Sequence, residues 1–468
     1  MTANNPAAPA PEPDPGNNAT AGVSLLMGDP KKAVLKLSAP MIVAMFLMST
    51  YNIVNAIWVA GLGSNALAAV GFVTPLFMIL IGLSNGLGAG VASVISRRIG
   101  AKDKTGADNA AVHALLLVLI LSGVLTIPLI LLTGPIVTLF GAGETAGLAT
   151  AYGQVMFLGM VLILFTNIGY AILRAEGDAK RAMYVMGASS CLNMVLDPLL
   201  IYTAGMGIAG AAWGMIVSLA LVSCVLLYWF FGKKDTYLTI SFRAFSWDRR
   251  TIRDILGVGL PASVEFFLMS VLAIFINDLL VATAGTDAVA VYTAGWRVIF
   301  FAIIPMIAIA TAVISVAGAA YGARKFERIR TVHTFSIKLG IAIALVVSAI
   351  TYIFARQIAV IFTYSPDSAH LAPEIAAFLA IMCFFYPFVP PGVMSGSIFQ
   401  ATGRGMASLV MTVLRNLVFI AVFAYLFGIV LGYGEHGVWW GIVAGDILGG
   451  TISFLWARYY ISRLIANG

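Results

Sequence analysis

An all-α integral membrane protein, with twelve transmembrane helices in two related six-helix lobes, is the fold class this sequence predicts. Three observations carry that reading. Apolar residues make up 60% of the 468 and charged residues only 10%, whereas a soluble domain carries about 25% charged residues. Lipid must therefore cover what a polar surface cannot. Twelve apolar runs reach the roughly 20 residues that a spanning helix needs. Finally, the chain repeats itself. Gly63-Ser64-Asn65-Ala66-Leu67-Ala68 returns as Gly285-Thr286-Asp287-Ala288-Val289-Ala290, and Gly100-Ala101-Lys102 as Gly322-Ala323-Arg324, both at an offset of 222. Arg174-Ala175-Glu176-Gly177 is echoed by Gln400-Ala401-Thr402-Gly403, and Gly210-Ala211-Ala212-Trp213-Gly214 by Gly437-Val438-Trp439-Trp440-Gly441, at offsets of 226 and 227. Internal duplication in an apolar chain points to a transporter working at the interface of its repeats.

Residues 1–28 are rich in Pro, Ala and Asn and have no apolar core. They read as a disordered cytoplasmic tail, not as a signal peptide. The N-lobe, 29–231, holds spans at 34–60, 67–95, 111–139, 150–173, 182–202 and 208–231. A basic linker, 232–251, leads to the C-lobe, 252–468, with spans at 255–283, 288–319, 334–361, 374–399, 407–430 and 438–461. A β-barrel is excluded, since its strands would alternate in roughly ten-residue segments.

The charges sort themselves on this frame. Lys31, Lys32 and Lys36 precede the first span; Arg97, Arg98, Lys102 and Lys104 follow the second; Lys180 and Arg181 follow the fourth. Basic residues also follow the sixth, eighth, tenth and twelfth spans, while the six intervening connections carry no Lys or Arg. Basic loops stay inside, so both termini of this cell-membrane protein are expected in the cytoplasm. The net charge of +7 is then a topology signal and implies no nucleic-acid partner. Cys191, Cys224 and Cys383 all lie in apolar runs and are expected to be buried thiols. Their spacing fits no metal motif.

Ionisable groups inside a membrane are costly and are functional candidates by default. The best placed is Asp197, in Leu192-Asn193-Met194-Val195-Leu196-Asp197-Pro198. Asn193 lies four residues before it, on the same helix face. A carboxylate beside an amide suits a proton or a Na⁺ site, and Pro198 frees a backbone carbonyl nearby. The alternative is a helix–helix hydrogen bond. In the seventh span Glu265 follows Pro261 by four residues, and Asp278, nearer the outer end, fits function or structure equally. Asp446 and Arg415 are both intramembrane and either pair or meet other partners. Arg297 and Arg356 are expected to snorkel outward. His113 and His333 open the third and ninth spans at matching repeat positions; nothing nearby completes a catalytic site, so both read as structural. Phe266, Phe267, Phe300, Phe301, Phe384, Phe385 and Tyr386 are candidate lining for an adaptable apolar cavity, with packing or lipid contact as the alternative for each. No nucleotide motif is present. Gly86-Leu87-Gly88-Ala89-Gly90 lies in an apolar helix and reads as close packing. An enzyme is not expected, no cofactor is called for, and transport must draw on an ion gradient, of H⁺ or Na⁺.

Several blocks together resemble the multidrug and toxic compound extrusion (MATE) transporters over residues 30–460. They are Gly61-Leu62-Gly63 with Ala66-Leu67-Ala68-Ala69-Val70-Gly71, Leu173-Arg174-Ala175-Glu176-Gly177, the Asn193–Asp197 block, Gly207-Ile208-Ala209-Gly210-Ala211-Ala212, and Phe399-Gln400-Ala401-Thr402-Gly403. The resemblance implies two lobes in a V around a central cavity, and export of cationic or amphipathic small molecules by H⁺ or Na⁺ antiport. It implies a cation-coupling site at Asn193 and Asp197, and a bend in the first span at Pro40. The first-span Asp of that family is Asn55 here and a sixth-span Thr is Met215. One carboxylate and one hydroxyl are thus missing, which disfavours a hard cation that wants several oxygens. Glu265 resembles a C-lobe carboxylate of some members, and Asp278 and Asp446 join it as C-lobe candidates. No metal site is expected. The partners expected are a small-molecule substrate and the lipid bilayer, with the chain a monomer. The alternative is a flippase for a lipid-linked precursor, from the related superfamily, whose cavity would need several cations.

Overall fold

A computed structural model describes residues 20–233, 235–363 and 366–467. Helices account for the whole architecture, and among the described residues there is no strand. Eleven helices are long and apolar enough to span a membrane, and a bent pair supplies the twelfth. All twelve expected spans are present.

The segment expected to be a disordered tail is helical where it is described. Ala21–Met27 forms a helix (α1), and residues 1–19 lie outside the described residues. Thr20 caps α1, and Leu26 and Val23 are buried. A Cβ on Gly22 would come within 2.7 Å of the Glu176 carbonyl oxygen. At the other end, Arg328 of the C-lobe donates to the carbonyls of Met27 (2.8 Å), Leu26 (3.1 Å) and Gly28. Two short turns of apolar side chains that the tail's composition conceals therefore touch both lobes.

The N-lobe spans are α2 (Pro30–Ala60), α3 (Ser64–Gly100), α4 (Lys104–Leu139), the bent pair α5 (Ala146–Leu158) and α6 (Met160–Ala175), α7 (Ala179–Pro198) and α8 (Ile208–Leu227). The C-lobe spans are α9 (Arg249–Ala284), α10 (Thr286–Gly322), α11 (Phe326–Phe362), α12 (Ala372–Met382) with α13 (Val389–Ala401), α14 (Gly405–Thr412) with α15 (Ala421–Tyr425), and α16 (Gly434–Asn467). Asp29, Asp103, Asp178 and Asp248 each accept from a first-turn backbone N–H of α2, α4, α7 and α9, which satisfies orphan donors and complements the helix dipole. These four caps share the end of the bundle that carries the basic loops.

The duplication extends to backbone geometry. Gly63 and Gly285, which open α3 and α10, have φ of 99° and 81°. Lys102 and Arg324 also match, at 59° and 54°, and are the two non-glycine residues with positive φ among those described. One span is sharply bent: the fourth turns by 48° at Gly159. The matching tenth runs as one span, Ala369–Ala401, that tightens to a 3-10 turn at Tyr386–Phe388 beside Pro387, Pro390 and Pro391.

The lobes meet at the basic end. Gly82, Gly86 and Gly90 of α3, each four apart, lie directly on α9. A Cβ on Gly82 would be 2.9 Å from the Phe266 Cβ, one on Gly86 2.6 Å from the Gly259 oxygen, and one on Gly90 would strike the Ile255 oxygen. This is the close packing expected of the glycine run. Farther along α3, Gly71 has open space beside it. Arg98 completes the seam, donating to Thr251 Oγ1 of α9 and lying 3.6 Å from Asp248.

The linker is pinned to the N-lobe. Arg181 pairs with Asp235 (2.8 Å), Asp108 accepts from Thr239 N (2.8 Å), and His113 Nε2 accepts from Asp248 N (3.0 Å). His333 Nε2 meets Ser395 Oγ at 3.0 Å, so both histidines are engaged in packing contacts. Glu176 accepts from Leu238 N (3.3 Å) and is 2% exposed. Burial pushes its carboxyl from 4.5 up to about 8, against the pull of the Leu238 N–H. Its stabilising contribution is therefore full below about pH 4.5 and lost as pH rises through about 8. Glu176→Gln should remove that loss. Thermal unfolding in detergent at pH 5 and pH 9 should show the variant gaining on the wild type at pH 9 by on the order of a few kcal/mol.

Cys383 is buried, but Cys191 and Cys224 are exposed on the bundle surface, contrary to expectation. In lipid an apolar side chain is as well accommodated outside as inside, so apolar character does not imply burial.

Candidate functional site

In the N-lobe α7 presents Asn193 and Asp197 inward, 3% and 0% exposed. Asn55 of α2 reaches across and donates from Nδ2 to Asp197 Oδ2 at 2.6 Å. The helix position that holds a carboxylate in the resembled family thus holds an amide bonded to the remaining carboxylate. Asp197 Oδ1 and Asn193 Oδ1 are buried with no hydrogen-bond partner among the described residues. A Cβ at Gly214 of α8 would collide with Asp197 Oδ1. Tyr51 and Tyr152 stand close enough to interact with the Asp197 charge. Met215 packs with the apolar core instead of supplying an oxygen. Directly after Asp197 and Pro198 the chain turns π-helical over Leu199–Thr203, an irregularity frequent at functional sites. Pro40 lies inside α2, which stays helical through it.

The C-lobe centre is Glu265 of α9. Ser408 Oγ of α14 donates to its Oε1 at 2.7 Å, and Gln400 Nε2 of α13 lies 3.4 Å from its Oε2. Thr412 and Arg415 also act on it. Arg415 and Asp446, whose pairing the sequence left open, do pair: Arg415 Nε lies 3.5 Å from Asp446 Oδ1, and Asp446 is 1% exposed. Arg415 sits on a second π-helical stretch, Val413–Ile420. Its guanidinium lies against Gly392 and its stem against Gly449, positions where a Cβ would collide with it.

Asp278 is not brought to this site; it is exposed, and among the described residues it makes no hydrogen bond or ion pair. Its neighbour Asn277 is the residue with a buried, unpartnered oxygen. Of the aromatic candidates, Phe385 and Tyr386 are buried, Phe266, Phe267, Phe300 and Phe384 are exposed, and Phe301 stacks on Phe46 of the other lobe at 6.5 Å. Ser408 and Gln400 were missed as site residues. Ser408 carries no sequence signal, while Gln400 stood in the repeat at the position of Arg174. Glu374, Glu435 and His436 also gather, half exposed, at the end away from the basic loops, with ligand atoms within 4.8 Å of one another. They come from two distant connections, so no sequence spacing reveals them.

Paired repeats, a carboxylate buried in each lobe and up to twelve apolar spans define a multi-pass membrane transporter. The MatE family profile matches residues 40–199 and again 261–426, one copy per lobe. The chain belongs to the MatE family. It is 27% identical over 426 residues to a multidrug export protein, MepA, of Staphylococcus saprophyticus, covering 89% of this chain and 91% of that protein. Its structure is similar to that of a multidrug resistance MATE family transporter of the MOP superfamily solved in an outward-facing conformation, with 44% identity, a TM-score of 0.93 and coverage of 96% and 99%. A MOP superfamily transporter from Pyrococcus furiosus, described by the reverse polarity of its binding pocket, is similar at 44% identity and a TM-score of 0.92, with 95% and 99% coverage.

Proposed function

We propose that this chain exports amphipathic, cationic small molecules across the cell membrane in exchange for protons, with Asp197 as the N-lobe proton carrier and Glu265 as its C-lobe counterpart. The observation that carries this reading is the Asn55–Asp197 bond. An amide N–H on one carboxylate oxygen (2.6 Å) disfavours a metal cation there, which would require oxygen donors on all sides. The other oxygen, buried and unpartnered, is free to take a proton. The multidrug export described for the staphylococcal relative supports the substrate class, and buried carboxylates favour cations over anions. A lipid-linked pyrophosphate would need free cations, yet the arginine beside Glu265 is already engaged with Asp446. The second reading, a flippase, is disfavoured on that ground.

The test is efflux from proteoliposomes, with ethidium as probe. A pH gradient with the acidic side outside should drive transport alone, and a Na⁺ gradient at matched pH should not. Transport that needs Na⁺ and ignores the pH gradient would overturn the proton reading.

The orientation proposed places the basic loops and both termini in the cytoplasm. In a cysteine-free background, cysteines at Ser64, Gly143 and Gly434 should then react with an impermeant maleimide applied to cells, and cysteines at Lys102 and Lys325 should be protected. The reverse pattern would invert the assignment.

A further inference from the structure

One residue of the C-lobe touches the acid with its side chain and the other lobe with its main chain. Gln400 ends α13. Its Nε2 lies 3.4 Å from Glu265 Oε2 and 3.2 Å from Ser408 Oγ, and that hydroxyl donates to Glu265 Oε1 at 2.7 Å. Its backbone oxygen accepts from Ser93 Oγ of α3, in the N-lobe, at 2.6 Å, and Ser93 also reaches the Ala401 oxygen at 3.3 Å. Ser93 and Ser408 are both 0% exposed. This bond joins the lobes beside the glycine seam, one turn beyond Gly90.

We propose that Gln400 is a positioning residue that relays the protonation state of Glu265 to the contact between the lobes at Ser93. This rests on the reading of Glu265 as a proton-coupled group. An ionised carboxylate only accepts, and Ser408 Oγ and Gln400 Nε2 are the donors offered to it. A protonated carboxyl must also donate. Donation from Oε2 needs Gln400 Oε1 where Nε2 stands, and donation from Oε1 to Ser408 Oγ turns that hydroxyl's own hydrogen toward the amide, which again must present its oxygen. The amide is carried on the same residue whose carbonyl holds Ser93, so a change in how closely the turned amide seats on the carboxyl is passed to the last turn of α13 and to the inter-lobe bond together. The charged groups facing Glu265 are Arg415, on the π-helical stretch beside α9, and Asp446 of α16 behind it. The α13 and α14 helices present Gln400, Ser408 and Thr412. Arg415 is held by its own pair, so the adaptable neighbours are the amide and the hydroxyls. The repeat places Arg174 where Gln400 stands, so this relay belongs to one lobe only.

The test uses the purified full chain with its three cysteines replaced and spin labels at the exposed positions 180 and 325, one on each lobe. Two pH titrations are compared: ethidium binding, and the inter-label distance. Glu265→Gln should remove a pH step from both. Gln400→Leu should keep the step in binding, lose it in distance, and lower pH-driven efflux at least tenfold. Gln400→Glu should move the step to higher pH by about one unit or more, because two adjacent carboxylates share a proton. Gln400→Asn, which keeps the amide but shortens its reach, should weaken the distance step without moving the binding step. If the distance step survives unchanged in Gln400→Leu while Glu265→Gln abolishes it, the relay is wrong and the role of Glu265 stands. If Glu265→Gln leaves both steps intact, both readings fall.

Discussion

Asp197→Asn reduces pH-gradient-driven ethidium efflux to the level of protein-free liposomes, while the variant still inserts and purifies as a monodisperse protein. The two halves of this expected result have separate causes. An Asn side chain cannot carry a proton, so the coupling is lost outright. The fold survives because the new amide still accepts from Asn55 Nδ2 at the Oδ2 position, 2.6 Å away, and because replacing a buried acid by its amide removes a desolvation cost. Asp197→Glu should also fail although it keeps the acid, since the added methylene displaces the carboxylate from the bond that Asn55 Nδ2 makes to it (2.6 Å). Asn55→Asp should restore the second carboxylate and raise the response to Na⁺. Full efflux in Asp197→Asn would remove this residue from the coupling.

The second large effect is on stability. Arg415→Met leaves Asp446 buried, 1% exposed, with no counter-charge. Breaking a buried pair from one side costs roughly 3–5 kcal/mol. Asp446→Leu strands Arg415 between Gly392 and Gly449 and should cost a similar amount. The double variant should recover most of the loss, since two apolar groups of similar volume replace the pair. Thermal unfolding of the three proteins in detergent gives the coupling energy, and additive losses would show that the two side chains do not interact.

What the sequence made legible follows from what a membrane constrains. Spans, repeat and the Asn193–Asp197 pair were readable because hydropathy, spacing and the cost of an intramembrane charge are local properties of the chain. The partners of Glu265 were not, since Gln400 and Ser408 lie 135 and 143 residues away and hydroxyls are common in spans. The bend at Gly159 and the 3-10 turn at Tyr386–Phe388 leave no gap in hydropathy and so are invisible within their runs. Asp278 and Asn277 were one residue apart, and only the rotation of α9, set by its packing on α3 and α10, decides which of them turns inward.

The joint between α3 and α9 has one more physical consequence. The antiport proposed above implies alternating exposure, and a rocking of the lobes would part and close this joint. It is made of glycine against helix backbone, with Phe266 the one bulky side chain beside Gly82. Helical carbonyls keep their intrahelical bonds whether the joint is shut or wet, and Ser263 Oγ already holds the Gly259 oxygen of its own helix at 2.8 Å. Parting therefore keeps the helical carbonyls bonded, and the polar contacts it breaks are those of Arg98 with Thr251 and Asp248 and of Ser263 Oγ with the Leu83 oxygen (3.4 Å). The attraction along the glycine face is dispersion, many weak contacts that lose up to roughly half their strength over a gap of about 1 Å. Such a joint parts along its glycine face without refolding either helix.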